Sequence, residues 1–114
     1  MHVVIFEVEP KPDGKDRYLE IAGQLRAELE GLDGFISIER FQSLGDDGKM
    51  LSLSYWRDAE AINAWRAKAE HRKAQAEGRR DLFANYRIRV AEVVRDYTMT
   101  GRDEAPQRPP EETM

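Results

Sequence analysis

Trp65 and His71 stand six residues apart, and Gln75 follows His71 by one helical turn. Residues four apart share a helix face, so Gln75 can hydrogen-bond the imidazole or a ligand held beside it. Histidine changes charge near neutral pH, which makes a partly buried His71 the natural general base of this chain. Gly78 continues the same face, and its missing side chain admits a close neighbour. Tyr55, Trp56, Phe83 and Tyr86 flank the segment. Together these residues describe a flat, aromatic-lined cleft suited to a planar organic molecule. Arg87 can stabilise an oxyanion there if its side chain turns inward; otherwise it belongs to an interface or the surface. The catalytic candidates are therefore His71 and Trp65. The substrate-binding candidates are Tyr55, Trp56, Gln75, Phe83, Tyr86 and Arg87.

Plainer readings stand beside this one. A tryptophan at helical spacing is commonly a core residue, and His71 lies in a charged run, Glu70-His71-Arg72-Lys73, that suits a solvated face. Tyrosines often pack with a wet hydroxyl. His2, at the terminus, has no evident role.

Other chemistries are poorly served. The chain has no cysteine, which removes disulfides, thiolate metal sites and thiol nucleophiles. Its two histidines lack ligand spacing, so no metal site is expected. There is no phosphate-cradling glycine loop and no G-x-S-x-G nucleophile turn. Any catalysis is expected to need no resident cofactor. With 22 acidic against 18 basic residues the net charge is −4, which argues against a nucleic-acid partner. No apolar run is long enough to span a membrane, and the N-terminus lacks the features of a signal peptide, so a cytoplasmic protein is expected.

The elements that must position these residues fit one domain over 1–97. His2 to Glu9 is rich in Val, Ile and Phe and reads as a strand, closed by the turn residues Pro10 to Gly14. Tyr18, Ala22, Leu25, Leu29 and Leu32 recur at spacings of three and four, predicting an amphipathic helix over about 15–30 that stops at Gly31 and Gly34. Phe35 to Ser43 and Leu51 to Trp56 read as strands joined by the turn Gly45-Asp46-Asp47-Gly48. Asp58 is placed to cap the next helix. Within it the apolar face shifts from Ile62, Trp65 and Ala69 to Ala67, His71, Ala74 and Gly78, which predicts a break or bend near Lys68. A last strand is expected from about Tyr86 to Tyr97. The order β-α-β-β-α-β defines a ferredoxin-like α+β fold with a four-stranded antiparallel sheet. The tail 98–114, rich in proline and charge, is expected to be disordered.

The strands carry one more signal. Val3 and Ile5 alternate with Val4, Phe6 and Val8, and the third and fourth strands are apolar on both faces as well. Two helices cover only one face of a four-stranded sheet. A second copy of the sheet is the economical cover for the other, predicting a two-fold homodimer; an ordinary monomer with a half-apolar exposed sheet is the alternative.

The segments Y-W-R-D-A-E-A-I-N-A-W, E-H-R-K-A-Q-A-E-G and Y-R-I-R-V-A-E-V-V-R-D-Y resemble the antibiotic biosynthesis monooxygenase family over about residues 1–97. The resemblance implies a dimeric α+β barrel. Some members oxidise phenols or anthrone-type polyketides with dioxygen and no cofactor; the enzyme helps remove a proton and stabilises the anion. In that subgroup a tryptophan matching Trp65 is followed six residues on by tyrosine, where this chain has His71. An asparagine stands one turn before that tryptophan, where this chain has Ala61, with Asn63 nearby. Haem-degrading relatives carry a histidine about ten residues after the tryptophan and an asparagine on the first strand. Here Gln75 holds the first position and the strand has no asparagine, which disfavours haem degradation. The expected function is cofactor-independent monooxygenation of an electron-rich aromatic such as a phenol, anthrone or quinol. The alternatives are a non-catalytic binding or structural module, or an isomerase or decarboxylase on the same fold.

Overall fold

A computed structural model describes residues 1–75 and 82–106. The elements are β1 (His2–Pro10), α1 (Lys15–Leu29), β2 (Phe35–Gln42), β3 (Met50–Trp56), α2 (Ala59–Gln75) and β4 (Phe83–Glu92). The strands form one antiparallel sheet in the order β2-β3-β1-β4. This is the expected ferredoxin-like arrangement.

Register and alternation divide the sheet into two faces. His2, Val4, Phe6 and Val8 pair with Trp56, Ser54, Ser52 and Met50 on one side and with Glu92, Val90, Ile88 and Tyr86 on the other. These residues share the helix-side face. Val3, Ile5 and Glu7 share the opposite face with Tyr55, Leu53 and Leu51 of β3 and with Ala91, Arg89 and Arg87 of β4. The main core cluster lies on the helix side, where Leu29, Trp56, Ala61 and Ile62 are buried and Val4, Leu32, Phe35, Ile38 and Trp65 pack around them.

The open face holds an apolar band crossed by charge. Glu7 pairs with Lys49 at 3.8 Å and with Arg89 at 3.5 Å. Among the described residues no helix covers this face. On β2 the register shifts between Phe35 and Ser37, which bulges that edge strand.

Local structure follows the residues. In α1, Tyr18, Ile21, Ala22 and Leu29 are buried along one stripe. The β2–β3 turn is held by the Gln42 amide, whose Nε2 donates to the carbonyls of Asp47 and Lys49, each at 3.0 Å. Gly34 ends the α1–β2 connection at φ +85°, a conformation only glycine adopts without strain.

Two boundaries differ from expectation. α2 is one continuous helix, not two. Residues 59–75 contain no glycine or proline, and Ala, Arg, Lys, Glu and Gln are strong helix formers, so propensity carries the helix through the shift of its apolar face. β4 begins at Phe83 and ends at Glu92 because it can pair only where β1 offers partners, from Pro10 back to His2. One further ladder bond joins the Val93 amide to the Met1 carbonyl. Beyond it, the Gly101 amide donates to Thr98 Oγ1 at 2.8 Å and the Arg102 guanidinium lies over the Tyr97 ring at 5.3 Å. The rest of the expected tail, 107–114, lies outside the described residues.

Candidate active site

α2 starts beside the end of β3, and Asp58 fixes that start. The Ala61 amide donates to Asp58 Oδ1 at 2.9 Å, the N-cap bond that frees a first-turn amide from needing water. Arg57 Nε donates to Asp58 Oδ2 at 3.0 Å, and its two terminal nitrogens clasp Asp33 at 2.9 and 3.1 Å. The Ala61 amide, then the Arg57 guanidinium, holds the Asp58 carboxyl below the usual carboxylate range. Arg57 does the same for Asp33, and the two carboxylates raise the Arg57 pKa in turn. The α1–β2 connection is thereby pinned to the head of α2.

From there α2 runs along the helix-side face. The chain leaves β3 at Trp56, opposite His2, and re-enters the sheet at Phe83, opposite Pro10. At about 1.5 Å per helical residue, Trp65 lies about 10 Å and His71 about 20 Å beyond Asp58. Of the four strands, α2 packs chiefly on β3. The side chains of His71 and Gln75 lie outside the described part of the structure, as does Gly78.

The Phe83 end of the sheet is built from aromatic rings. Phe6 meets Phe83 at 6.1 Å and Tyr86 at 5.9 Å between centroids, and Phe83 meets Tyr18 at 5.5 Å. Edge-on contacts of this kind hold the rings in fixed orientations. Tyr86, Ile88 and Val90 remain 54, 54 and 50% exposed although they lie on the helix side. α2 thus leaves the outer strand of the sheet uncovered. The result is an open apolar surface, the cleft of this fold, formed by Tyr86, Ile88 and Val90 beside Phe6 and Phe83.

The eight residues singled out by sequence do not all meet here. Phe83 and Tyr86 line the cleft. Trp65 is partly buried, with one side against the Leu29–Trp56–Ile62 cluster. Trp56 is 2% exposed, donates from Nε1 to Ser54 Oγ at 2.9 Å and packs edge-on against Phe35 at 5.3 Å. It supports Trp65 from below and presents no surface. Tyr55 and Arg87 stand on the opposite face, because neighbouring strand residues point opposite ways. Arg87 pairs in register with Glu7 on the open face and does not turn toward the cleft.

Phe6, Ile88 and Val90 are cleft residues absent from the sequence-based candidates; their parity with Val4 and Val8 is the signal that points to them. His2, without an evident role in the sequence, also lies on the cleft face, opposite Trp56. Among the described residues no group of three or more His, Cys, Asp or Glu is placed to hold a metal ion, and no helix is long and apolar enough to cross a membrane. A groove of about 630 Å³ runs along the β2 edge past Arg26, Arg40, Phe41 and Tyr55, and no residue of α2 or β4 lines it.

A four-stranded antiparallel sheet with two helices on one face defines a ferredoxin-like α+β scaffold. The profile of the antibiotic biosynthesis monooxygenase family matches residues 1–77, and the chain belongs to that family. It is 46% identical over 93 residues to a jasmonate monooxygenase of Pyricularia oryzae, a match spanning 82% of this chain and 43% of that protein. The chain therefore spans less than half the length of this curated relative. Among solved structures, Rv0793 of Mycobacterium tuberculosis superposes with a TM-score of 0.71 at 16% identity, covering 85% of this chain and 98% of that one. A haem degrader of the same organism, with two haems bound in its active site, superposes at 0.66 and 19% identity, covering 86% and 100%. Both structural likenesses are statements about fold.

Proposed function

We propose that this protein is a cofactor-independent monooxygenase of small, electron-rich molecules, and that the cleft between α2 and β4 is its active site. One observation carries the reading: apolar and aromatic side chains on the helix-side face of β4 are left half exposed beside the core that α2 covers. Membership of the family supports the reaction class.

In this reading Trp65, Phe83 and Tyr86 hold a flat ring system and exclude water. His71 takes a proton from the activated carbon or phenol, with Gln75 orienting the imidazole or the substrate. The resulting carbanion passes electrons to dioxygen and forms a hydroperoxide at that carbon. Loss of water then leaves a carbonyl, so one methylene and one dioxygen give one carbonyl and one water. The substrate supplies all four electrons, and the step balances without a reductant. Simple hydroxylation of an unactivated C–H bond needs two further electrons, which favours substrates with an acidified methylene. The relative named for jasmonate, a non-aromatic carboxylate, makes that compound the first non-aromatic candidate to test. Haem degradation is disfavoured because Gln75 stands where the haem-degrading relatives carry histidine.

We also propose that a second copy covers the open face. Val3, Ile5, Leu51, Leu53 and Tyr55 form an apolar band there, and Glu7 with Lys49 and Arg89 supplies charge able to re-pair across a two-fold axis.

The test is dioxygen uptake by chelator-treated protein against 1,8-dihydroxyanthrone, quinols, catechols and jasmonate, with His71→Ala alongside. Uptake with a carbonyl product, lost in the variant, is the expected result. Uptake that survives in the variant removes His71 from its role. Absence of uptake across the panel moves the reading to a binding module or a non-oxidative proton-transfer enzyme.

A further inference from the structure

The chain beyond β4 is an arm that its own domain does not hold. The last ladder bond runs from the Val93 amide to the Met1 carbonyl. After it the bonds close on the arm itself. The Asp96 amide donates to Glu104 Oε2 at 2.7 Å, the Thr98 amide to the Gly101 carbonyl at 2.9 Å, and the Ala105 amide to the Arg102 carbonyl at 3.0 Å. Among the described residues no hydrogen bond or ion pair ties 94–106 back to the sheet or helices. Val94 is 92% and Met99 89% exposed. Single exposed apolar residues are ordinary on a surface. A matching groove on the opposite margin of the sheet gives these two a meaning.

That groove is the one of about 630 Å³ along β2. Phe41, Leu53 and Tyr55 give it apolar walls, and Arg26 and Arg40 outnumber Glu39 there. Arg40 makes no ion pair among the described residues. Its Nε is sealed from solvent and has no acceptor. Arg26 holds Glu30 loosely, at 3.6 Å with both side chains exposed. A guanidinium left without an acceptor is costly where water is kept out, so the groove calls for a carboxylate. The arm carries two, Asp96 and Asp103, neither paired with a cation among the described residues.

No residue of the arm lines the groove of its own copy. The arm leaves from β4, and β2 is the other margin of the sheet. A second copy removes that separation. A two-fold axis parallel to the strands, set between two open faces, lays β4 of one copy over β2 of the other. The matching ends coincide as well, because His2 pairs with both Glu92 and Trp56, and Trp56 pairs with Phe35. Packed sheets stand about 10 Å apart, and the five steps from Val94 to Met99 reach about 16 Å when extended.

We infer that the arm 94–106 docks in the β2 groove of a second copy, with Met99 against Phe41 and Tyr55 and its carboxylates toward Arg40. This rests on the second-copy reading of the open face. The arms then clasp the dimer at both margins, one from each copy.

The chain has no cysteine, so Met99→Cys carries a benzophenone maleimide at a single position of the full chain. The labelled protein is irradiated at micromolar concentration. The expected product is a covalent dimer of twice 13.2 kDa, joined within residues 37–41 or at Tyr55. In sedimentation equilibrium Arg40→Glu and Met99→Asp each raise the dimer Kd about tenfold, and Arg40→Lys, which keeps the charge, recovers most of the affinity. Met99→Asp leaves the circular dichroism spectrum unchanged, since the side chain it replaces is exposed. Cross-links confined to one chain, or to other surfaces of an intact dimer, overturn the inference and leave the second-copy reading standing. An unchanged dimer Kd in Met99→Asp does the same. A monomeric wild type overturns both.

Discussion

A methyl group placed on Gly34 would stand 2.6 Å from the Cβ of Ala61, on the first turn of α2. The connection out of α1 and the head of the cleft helix are therefore in close contact, and the contact is sealed by the Arg57 amide, which donates to the Gly34 carbonyl at 2.7 Å. Gly34→Ala meets two penalties at once, an overpacked neighbour and a left-handed φ of +85°. The expected destabilisation is on the order of 2–4 kcal/mol. Urea denaturation monitored by far-UV circular dichroism measures it; a change under about 0.5 kcal/mol contradicts the packing described.

Tyr86 separates cleft from core. It is 54% exposed, so its loss removes contact with a ligand more than contact with the fold. Tyr86→Ala is expected to keep the thermal midpoint close to wild type while raising KM for 1,8-dihydroxyanthrone about tenfold, the equivalent of one lost apolar contact of about 1.4 kcal/mol. An unchanged KM places the ligand elsewhere.

Asp58 gives the acid limb of stability. Its folded carboxyl is held below its unfolded value of about 3.9, so its contribution is fully present above that pH and is lost as pH falls through the lowered folded value. Wild type is expected to melt higher than Asp58→Ala at neutral pH, with the gap narrowing below about pH 4. A gap that stays constant from neutral pH down to about pH 3 excludes an ionised cap.

Leu53 lies in the middle of the open face, between Ile5 and Glu39 of the neighbouring strands. Placing a charge there sets two uncompensated carboxylates against each other across a two-fold axis. Light scattering at micromolar concentration is expected to give twice 13.2 kDa for wild type and 13.2 kDa for Leu53→Glu. A monomeric wild type ends the dimer proposal outright.

The sequence is most legible where periodicity and capping chemistry agree. The stripe of Tyr18, Ala22 and Leu29 marks α1, and Asp58 announces the start of α2. It misleads where neighbours in the chain are not neighbours in space. Tyr55 and Trp56 are adjacent residues on opposite faces, and Arg87 is turned away from Tyr86 for the same reason. His2 is hard to read because a terminus carries no periodicity; only its pairing with Trp56 and Glu92 shows which face it serves. The apparent break at Lys68 comes from alanines, which are apolar enough to blur a helix face and good enough helix formers to continue it.

The bulge between Phe35 and Ser37 matters for the protein in a crowded solution. β2 and β4 are the free margins of the sheet, and a straight margin templates runaway strand addition. On β2 the register shift twists the strand away, and Glu39 and Arg40 place charge on the stretch beyond it. On β4 Arg87, Arg89 and Glu92 charge the margin in the same way. Sheet-to-sheet growth into aggregates is thereby discouraged at both rims, while the flat face between them stays available for specific self-association.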